Sequence, residues 1–275
     1  MADAAPAPLF PDHLFMVGCG NMAGQMLSRW LACGLDPARV IVLRPSGKPV
    51  APGVEVVQAF PAEFAKGTVV LLGMKPHQFA DVASGLAGVS GAPDLVISML
   101  AGTTAAQLRA GLADGADIVR VMPNTPVGVG QGVCALYADA LTSADARSSA
   151  EALMQPLGLA EWIADEDQFN LVTALSGCGP AYLFRFIDAL GSAGARLGLP
   201  EDQAARLALA TVRGASALAV QAGESPAILA DRVASPGGMT RQGMNVLDAD
   251  EALVTLLTET LRAARDRGEE MARQG

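Results

Sequence analysis

The order of apolar runs along the chain constrains the fold more than any other feature of the sequence. Between residues 14 and 165, short apolar segments alternate with stretches of helical composition, and after residue 168 the short segments stop. Alternation of this kind is typical of a mostly parallel β-sheet covered by helices. Seven segments are predicted to form strands: LFMVG at 14–18, VIVL at 40–43, VVLLGM at 69–74, LVISML at 95–100, DIVRVMP at 117–123, GVCALYA at 132–138 and AEWIA at 160–164.

The second half of the chain has a different periodicity. Apolar residues there recur at the spacing of one helix face. Three segments are predicted to form long helices: 180–197, 201–222 and 250–272. We therefore expect an α/β domain over residues 12–165, followed by an all-α domain over residues 166–275.

Composition excludes several classes of protein. Hydrophobic residues make up 51% of the chain and charged residues 17%, yet no apolar run is long enough to span a bilayer. Part of this apolar surface is expected to be buried between subunits. A net charge of −9 with scattered basic residues argues against nucleic acid or a membrane as partner.

Two further features bear on the compartment. The first fifteen residues contain no Lys or Arg and no apolar stretch of signal length, so they are expected to be a short disordered lead-in, with no export. The four cysteines lack metal-binding spacing, so free thiols and no metal are expected. The prediction is a cytoplasmic protein.

The first chemical motif is FMVGCGNMAG at 15–24, where a predicted strand gives way to a predicted helix. Gly18, Gly20 and Ala23 complete the pattern G-x-G-x-x-A. The first glycine permits a tight turn, and the second lets the backbone approach a pyrophosphate at the helix N-terminus. The motif predicts a Rossmann-like dinucleotide-binding domain.

The end of the second predicted strand bears on the choice of dinucleotide. An NAD site usually places Asp or Glu there to accept bonds from the ribose hydroxyls, whereas this chain reads VIVLRPSGK at 40–48. Arg44, Ser46 and Lys48 offer positive charge and a hydroxyl to a 2′-phosphate. NADPH is therefore predicted, with an ordinary solvated loop as the alternative.

The segment ASPGGMTRQG at 234–243 interrupts the helical half with two adjacent glycines. Backbone N–H groups at a following helix start can bind a small anion. An ordinary turn between helices is the alternative reading.

The motifs GCGNMA, MKP, PNTP, SGCGPAY and SPGG occur in this order, and with them the chain resembles the pyrroline-5-carboxylate reductase family over residues 14–265. The resemblance implies NADPH-dependent reduction of 1-pyrroline-5-carboxylate to L-proline, the last step of proline synthesis. It also implies an all-α C-terminal dimerisation domain that interlocks with a second subunit, an active site at the dimer interface and, in some members, a decamer.

The resemblance also implies residue roles. The cofactor would contact Gly18, Cys19, Gly20, Asn21, Met22, Ala23, Arg44, Ser46, Met74, Lys75, Pro76, Met99, Leu100, Ala101 and Asn124. The substrate would contact Ser235, Gly237, Gly238, Met239 and Thr240. Glu224, in the GESP turn before this loop, is a further candidate for a substrate contact, with a helix-terminal charge as the alternative reading. Backbone N–H groups of the turn would hold the substrate carboxylate, and Thr240 would act as the catalytic residue at the ring nitrogen. No dedicated general acid is evident, and neither His13 nor His77 is expected to serve as one.

Two positions depart from the family pattern. Cys178 stands where serine is usual, which removes a strong hydroxyl donor. Met239 stands where Thr or Ala is common, and its larger side chain would narrow the substrate space if it points inward.

Two other functions remain open at this point. Related NADP-dependent imine or hydroxyacid dehydrogenases begin with a similar fingerprint, but the hydroxyacid enzymes use a lysine on a helix after the sheet domain. Residues 165–275 contain no lysine. A non-catalytic NADP-binding regulator is the second alternative, against which Thr240 and the complete SPGG turn argue.

Overall fold

In a computed structural model, the chain is described over residues 10–112 and 115–274. It divides into two compact units: the described residues as far as Cys178 with those from Ala264 onward, and Gly179–Ala263. Residues 1–9, most of the expected disordered lead-in, lie outside the described part. The rest of that expectation was wrong, because Phe10 packs against the core and the first strand begins at His13.

An eight-stranded sheet forms the centre of the first unit, in the order β3-β2-β1-β4-β5-β6-β7-β8. The strands are β1 His13–Val17, β2 Val40–Leu43, β3 Glu55–Val57, β4 Thr68–Leu72, β5 Leu95–Ser98, β6 Asp117–Pro123, β7 Gly132–Tyr137 and β8 Gly158–Trp162. All neighbours run parallel except β6 and β7, which are antiparallel. Strand β1 lies between β2 and β4, so the order reverses at β1 and a ligand crevice is expected at its carboxyl end.

The seven predicted strands are all present, and each agrees with its predicted ends to within two residues. The sequence analysis missed β3. Glu55–Val57 is a strand of 3 residues, which is too short to show any periodicity.

Side chains of β1 alternate between two apolar layers, since successive residues of a strand point to opposite faces of the sheet. Leu14 and Met16 belong to one layer, and Phe15 and Val17 to the other. Within the first layer the buried indole of Trp30 donates a 2.8 Å hydrogen bond to the Leu153 carbonyl, so no polar atom of this large side chain is left unsatisfied.

Two glycines allow β7 and β8 to begin side by side. Gly132 is the register partner of Gly158, and a Cβ on Gly158 would lie 2.1 Å from the Gly132 carbonyl oxygen. Gly158 also has a φ of 137°, which a residue with a side chain rarely adopts.

Helices cover the sheet and form the second unit. Within the described residues they are α1 Asn21–Ala32, α2 Phe79–Ala87, α3 Ala105–Gly111, α4 Ala144–Met154, α5 Phe169–Val172, α6 Gly179–Arg196, α7 Glu201–Ala222, α8 Pro226–Val233, α9 Met239–Asp248 and α10 Ala252–Gln274. The three long helices predicted for the second half correspond to α6, α7 and α10. None of the described helices combines the length and the apolar composition needed to cross a bilayer.

Small residues bring α6 and α7 together in the second unit. A Cβ on Gly191 would lie 3.3 Å from the Ala205 Cα, and Ala204 and Ala208 are buried. Other faces of this unit are apolar and exposed. Large side chains there include Leu183, Phe184, Phe186, Leu207, Leu209, Ile228, Val254 and Leu256.

Candidate functional site

A cleft of about 1010 Å³ opens at the carboxyl ends of the central strands. Residues 17–23, 43–46 and 73–75, which follow β1, β2 and β4, form much of its wall. This is the edge at which an open parallel sheet binds its ligands, and the volume is that of a small-molecule or cofactor site, typically about 300–1,000 Å³.

The two glycines of the fingerprint have different surroundings. Gly18 has a φ of 81°, and a Cβ there would lie 3.1 Å from the Met74 backbone nitrogen. Its own N–H donates to the Leu43 carbonyl over 2.9 Å. Around Gly20 a Cβ would meet no described atom within 4 Å. The first glycine is therefore required by the turn, whereas the second leaves the backbone open to a ligand.

Gly20 also occupies the N-cap position of α1 and provides no side chain to bond the first N–H groups of that helix. Uncapped N–H groups and the positive end of the helix dipole favour an anion at this point. The cleft thus has the features of a pyrophosphate site.

Three hydrogen bonds between side chains and backbone hold the turn after β2. Arg44 Nη1 donates to the Lys48 carbonyl over 3.3 Å, and the Lys48 N–H donates to Ser46 Oγ over 3.4 Å. Gln58 Nε2 donates to the Pro45 carbonyl over 2.8 Å. Lys48 shapes the turn through its main chain, and Arg44 and Ser46 line the cleft.

The charge of Arg44 is available to an anion. Burial raises the pKa of the neighbouring Cys19 thiol above its usual value, and the positive charge of Arg44 only partly opposes this shift. At neutral pH Cys19 is therefore a thiol and not a thiolate, so it does not neutralise the guanidinium beside it.

Most of the predicted cofactor residues lie around this cleft: Gly18, Cys19, Gly20, Asn21, Met22, Ala23, Arg44, Ser46, Met74, Lys75 and Met99. Four do not line it: Pro76, Leu100, Ala101 and Asn124. Leu100 is 2% exposed and packs in the core. The amide of Asn124 bonds two backbone groups, donating to the Ser176 carbonyl over 2.9 Å and accepting from the Val133 N–H over 2.8 Å.

The sequence analysis missed several residues of the cleft wall: Gln58, Ala59, Phe60, Gln78, Asp81, Val82, Met122 and Pro123. Gln58–Phe60 follow β3 as Arg44 follows β2, and parallel neighbours end at the same edge of a sheet. If β3 had been predicted, Gln58–Phe60 would have been expected in the cleft wall. Met122 and Pro123 directly precede Asn124, so the PNTP motif pointed to this region.

The predicted substrate residues 235–240 are brought together in the second unit, between α8 and α9. Gly237 has a φ of 72°, and the N–H of Gly238 donates to the Ser235 carbonyl over 3.0 Å. Gly238 is the N-cap of α9 and has no side chain to cap it. Thr240 lies in the first turn of α9, and Met239 beside it is 94% exposed in the single chain.

Glu224 precedes this turn in the chain, on the other side of α8. It precedes Ser225, whose hydroxyl caps α8, and its carboxylate accepts a 2.7 Å hydrogen bond from Arg232. Among the described residues no cluster of His, Cys, Asp and Glu side chains is placed to hold a metal ion.

The strand order, the glycine turn at the point of reversal and the arginine that follows β2 define a Rossmann-type oxidoreductase that binds NADP. Family models agree with both halves of the chain. Residues 14–102 match a model described as NADP oxidoreductase, coenzyme F420-dependent, and residues 166–271 match pyrroline-5-carboxylate reductase dimerisation. The chain belongs to the pyrroline-5-carboxylate reductase family.

Similar proteins support this assignment along nearly the full length. The pyrroline-5-carboxylate reductase of Pseudomonas aeruginosa is 36% identical over 95% of this chain and 97% of its own. The pyrroline-5-carboxylate reductase of Escherichia coli is 30% identical over 94% of this chain and 97% of its own. The structure of a pyrroline-5-carboxylate reductase from Coxiella burnetii is 35% identical, with a TM-score of 0.85, and covers 94% of this chain and 98% of that one. The predicted family, fold class and use of NADP are confirmed.

Proposed function

We propose that this chain reduces 1-pyrroline-5-carboxylate to L-proline with NADPH. One observation supports this substrate most directly: the turn at 235–240 combines two glycines, an uncapped helix start and the hydroxyl of Thr240. This combination suits a small molecule that has a carboxylate beside a ring nitrogen. Membership of the family makes the cyclic imine the expected substrate.

The cleft of the first unit is proposed to hold the cofactor. The open backbone at Gly20 and the uncapped start of α1 suit its pyrophosphate, and Arg44 and Ser46 suit its 2′-phosphate. Met74, Lys75 and Met99 would line the ribose and nicotinamide. The other four predicted cofactor residues, Pro76, Leu100, Ala101 and Asn124, would support this wall from behind or beside it.

The turn of the second unit is proposed to hold the substrate. The backbone N–H of Gly237 and the uncapped N–H groups at the start of α9 would bind the carboxylate without a buried arginine, because the two glycines carry no side chain to cover them. Ser235 and Met239 would flank the substrate. The carboxylate of Glu224 is expected at the edge of this site.

The bound cofactor supplies a hydride to the imine carbon, and a proton on the ring nitrogen completes the amine. A protonated imine already accepts hydride readily, so the protein has mainly to orient the substrate and exclude water. We assign Thr240 to the ring nitrogen, where its hydroxyl accepts a hydrogen bond from the N–H. Accepting this bond would favour the protonated form.

We further propose that the protein works as a homodimer, with the decamer of some family members as the larger assembly to test. The exposed apolar faces of the second unit support association, since a monomer rarely leaves so many large side chains uncovered. The active site would be completed at the dimer interface. The four free cysteines favour a reducing compartment such as the cytoplasm.

For function, we retain residues 12–165 as the NADP-binding domain and 166–275 as the dimerisation and substrate domain. The dimerisation model begins at residue 166, at this division. The compact units divide later, at Cys178, so the π-helical turn at 173–177 would belong to the substrate domain in function and to the first unit in packing.

Oxidation of NADPH, followed by absorbance with 1-pyrroline-5-carboxylate as substrate and with proline assayed as product, tests the proposal. We expect one proline for each NADPH consumed. A related dehydrogenase would consume NADPH with a 2-oxo acid or another imine instead. A non-catalytic regulator would bind NADPH in a fluorescence titration and turn over none of these substrates.

A further inference from the structure

Two neighbouring residues at the end of α8 form ion pairs in opposite directions along the chain. Arg232 Nη2 lies 2.7 Å from Glu224 Oε1, and Asp231 Oδ1 lies 2.7 Å from Arg241 Nη2. The first pair reaches back to the residue before the α8 cap. The second reaches forward to the first turn of α9, directly after Thr240.

The loop between α8 and α9 therefore leaves from Asp231 and returns to its ion-pair partner. At the departure side, the Ala234 N–H donates to the Asp231 carbonyl over 3.1 Å. At the return side, the Arg241 side chain is 31% exposed, the lowest exposure of these four charged groups. The side chain and the carbonyl of Asp231 thus hold both ends of the segment 234–241.

A restraint on both ends of this segment reduces the conformational freedom of the glycine turn. Gly237 and Gly238 are adjacent, and glycine loses more conformational freedom on ordering than any other residue. A turn whose N–H groups are already oriented binds its ligand more tightly, because less ordering remains to be done on binding. Only the bond from Gly238 to Ser235 orders the turn internally among the backbone bonds described for residues 235–238.

We propose that Asp231 and Arg241 are positioning residues for the substrate turn: their ion pair fixes the start of α9 against α8, so that Thr240 and the backbone N–H groups at the start of α9 face one ligand. Arg232 completes the arrangement by holding the carboxylate of Glu224. This inference rests on the proposed function, and it gives a role to Arg241, for which the sequence suggested none.

The variant Asp231→Asn distinguishes a positioning role of the ion pair from a direct contact between Arg241 and the substrate. If Arg241 attracted the substrate carboxylate directly, Asp231→Asn would free its charge and lower the Michaelis constant for the substrate. If the pair positions the turn, Asp231→Asn loosens it and raises that constant. The sign of the change therefore separates the two roles.

The experiment compares Asp231→Asn, Arg241→Gln and the double variant by steady-state kinetics. We expect each to raise the Michaelis constant for 1-pyrroline-5-carboxylate by about 2- to 5-fold, as for a partly exposed ion pair, and to leave that for NADPH unchanged. The double variant should be no worse than either single one, since both remove the same contact. The exchanged pair, Asp231→Arg with Arg241→Asp, should recover part of the loss.

Arg206→Gln is the matched control, because it breaks a 2.6 Å ion pair with Asp202 that lies on α7. It should leave both Michaelis constants unchanged. A lower constant in Asp231→Asn, additive losses in the double variant, or no change in either single variant would overturn the positioning role. A wild-type protein inactive toward the substrate would instead overturn the proposed function.

Discussion

The side-chain amide of Asn124 donates a 2.9 Å hydrogen bond to the backbone carbonyl of Ser176. This bond joins the end of β6 to a π-helical turn at Thr173–Gly177, a geometry found frequently at functional sites. A Cβ on Gly177 would lie 3.9 Å from Met122 Cγ, and Met122 lines the cleft. The geometry favours Asn124 as a support of the cleft wall over a contact with the cofactor.

Replacement of Asn124 should therefore affect stability first. Asn124→Ala leaves the Ser176 carbonyl and the Val133 N–H without their partner, and Asn124 is 6% exposed. We expect a loss of about 1–3 kcal/mol in the free energy of unfolding for each buried group left unsatisfied, measured by urea denaturation. Unchanged stability with weakened NADPH binding would restore Asn124 to the cofactor contacts.

The two fingerprint glycines should respond differently to the same substitution. Gly18→Ala places a Cβ against Met74 at a positive φ, so we expect it to destabilise the fold by about 1–3 kcal/mol. Gly20→Ala has free space and should leave unfolding nearly unchanged while it weakens NADPH binding. Denaturation and fluorescence titration of both variants measure the two effects. Equal effects on stability would contradict the separate roles.

Arg44 is predicted to select NADPH over NADH. Arg44→Ala removes a charged contact to the 2′-phosphate, and we expect the Michaelis constant for NADPH to rise about 10- to 100-fold, with that for NADH nearly unchanged. Lys48→Ala is a matched control, because Lys48 bonds the turn through its main chain and should have a much smaller effect. Equal losses with both cofactors would place Arg44 outside the phosphate site.

Thr240 is predicted to bond the ring nitrogen of the substrate. Thr240→Val keeps the shape and removes the hydroxyl, so turnover should fall about 10- to 100-fold if the bond strengthens in the transition state. A rise in the Michaelis constant instead would indicate that the bond only holds the substrate. Thr240→Ser keeps the hydroxyl and should retain most activity. Unchanged kinetics in a folded, NADPH-binding Thr240→Val protein would leave 234–243 as an ordinary turn.

Cys134 should make the protein sensitive to alkali. Burial raises the pKa of its thiol from the ordinary value of 9.0 to about 12. Below pH 9 both states keep the proton, whereas between pH 9 and 12 only the unfolded chain loses it, so stability falls as pH rises. This group contributes a slope of up to about 1.4 kcal/mol per pH unit.

Cys134→Ala removes that slope and tests the assignment. The variant should be less stable than the wild type at pH 7, because a buried sulfur is lost. The difference should narrow as pH rises above 9, measured by denaturation at successive pH values. A constant difference across this range would show that Cys134 does not titrate on unfolding.

Much of the fold followed from the sequence because most strands are nearly continuous apolar runs, and β1, β4 and β6 end at or directly before glycine or proline. The antiparallel direction of β7 did not, since GVCALYA carries no mark of direction in its composition. The short β3 was missed for lack of periodicity, and Gln58 and Phe60 of the cleft wall were missed with it.

The glycine turn and Arg44 were predicted because their chemistry depends on residue type and order along the chain. The orientation of the Asn124 amide and the pairing of Arg241 with Asp231 depend on tertiary packing, which local pattern does not encode. The roles of residues that act through such contacts can be assigned only from a structure.

The pairing of Gly132 with Gly158 limits how this sheet can change over time. A Cβ on Gly158 would collide with the backbone of Gly132, and a Cβ on Gly132 would collide with Val127, so neither position accepts a side chain unless the backbone shifts. A chimera that takes β8 from a distant relative should therefore keep the backbone of β7 in place only if the relative also has glycine at position 158. Leu159, next to this pair but 56% exposed, is free of that steric constraint.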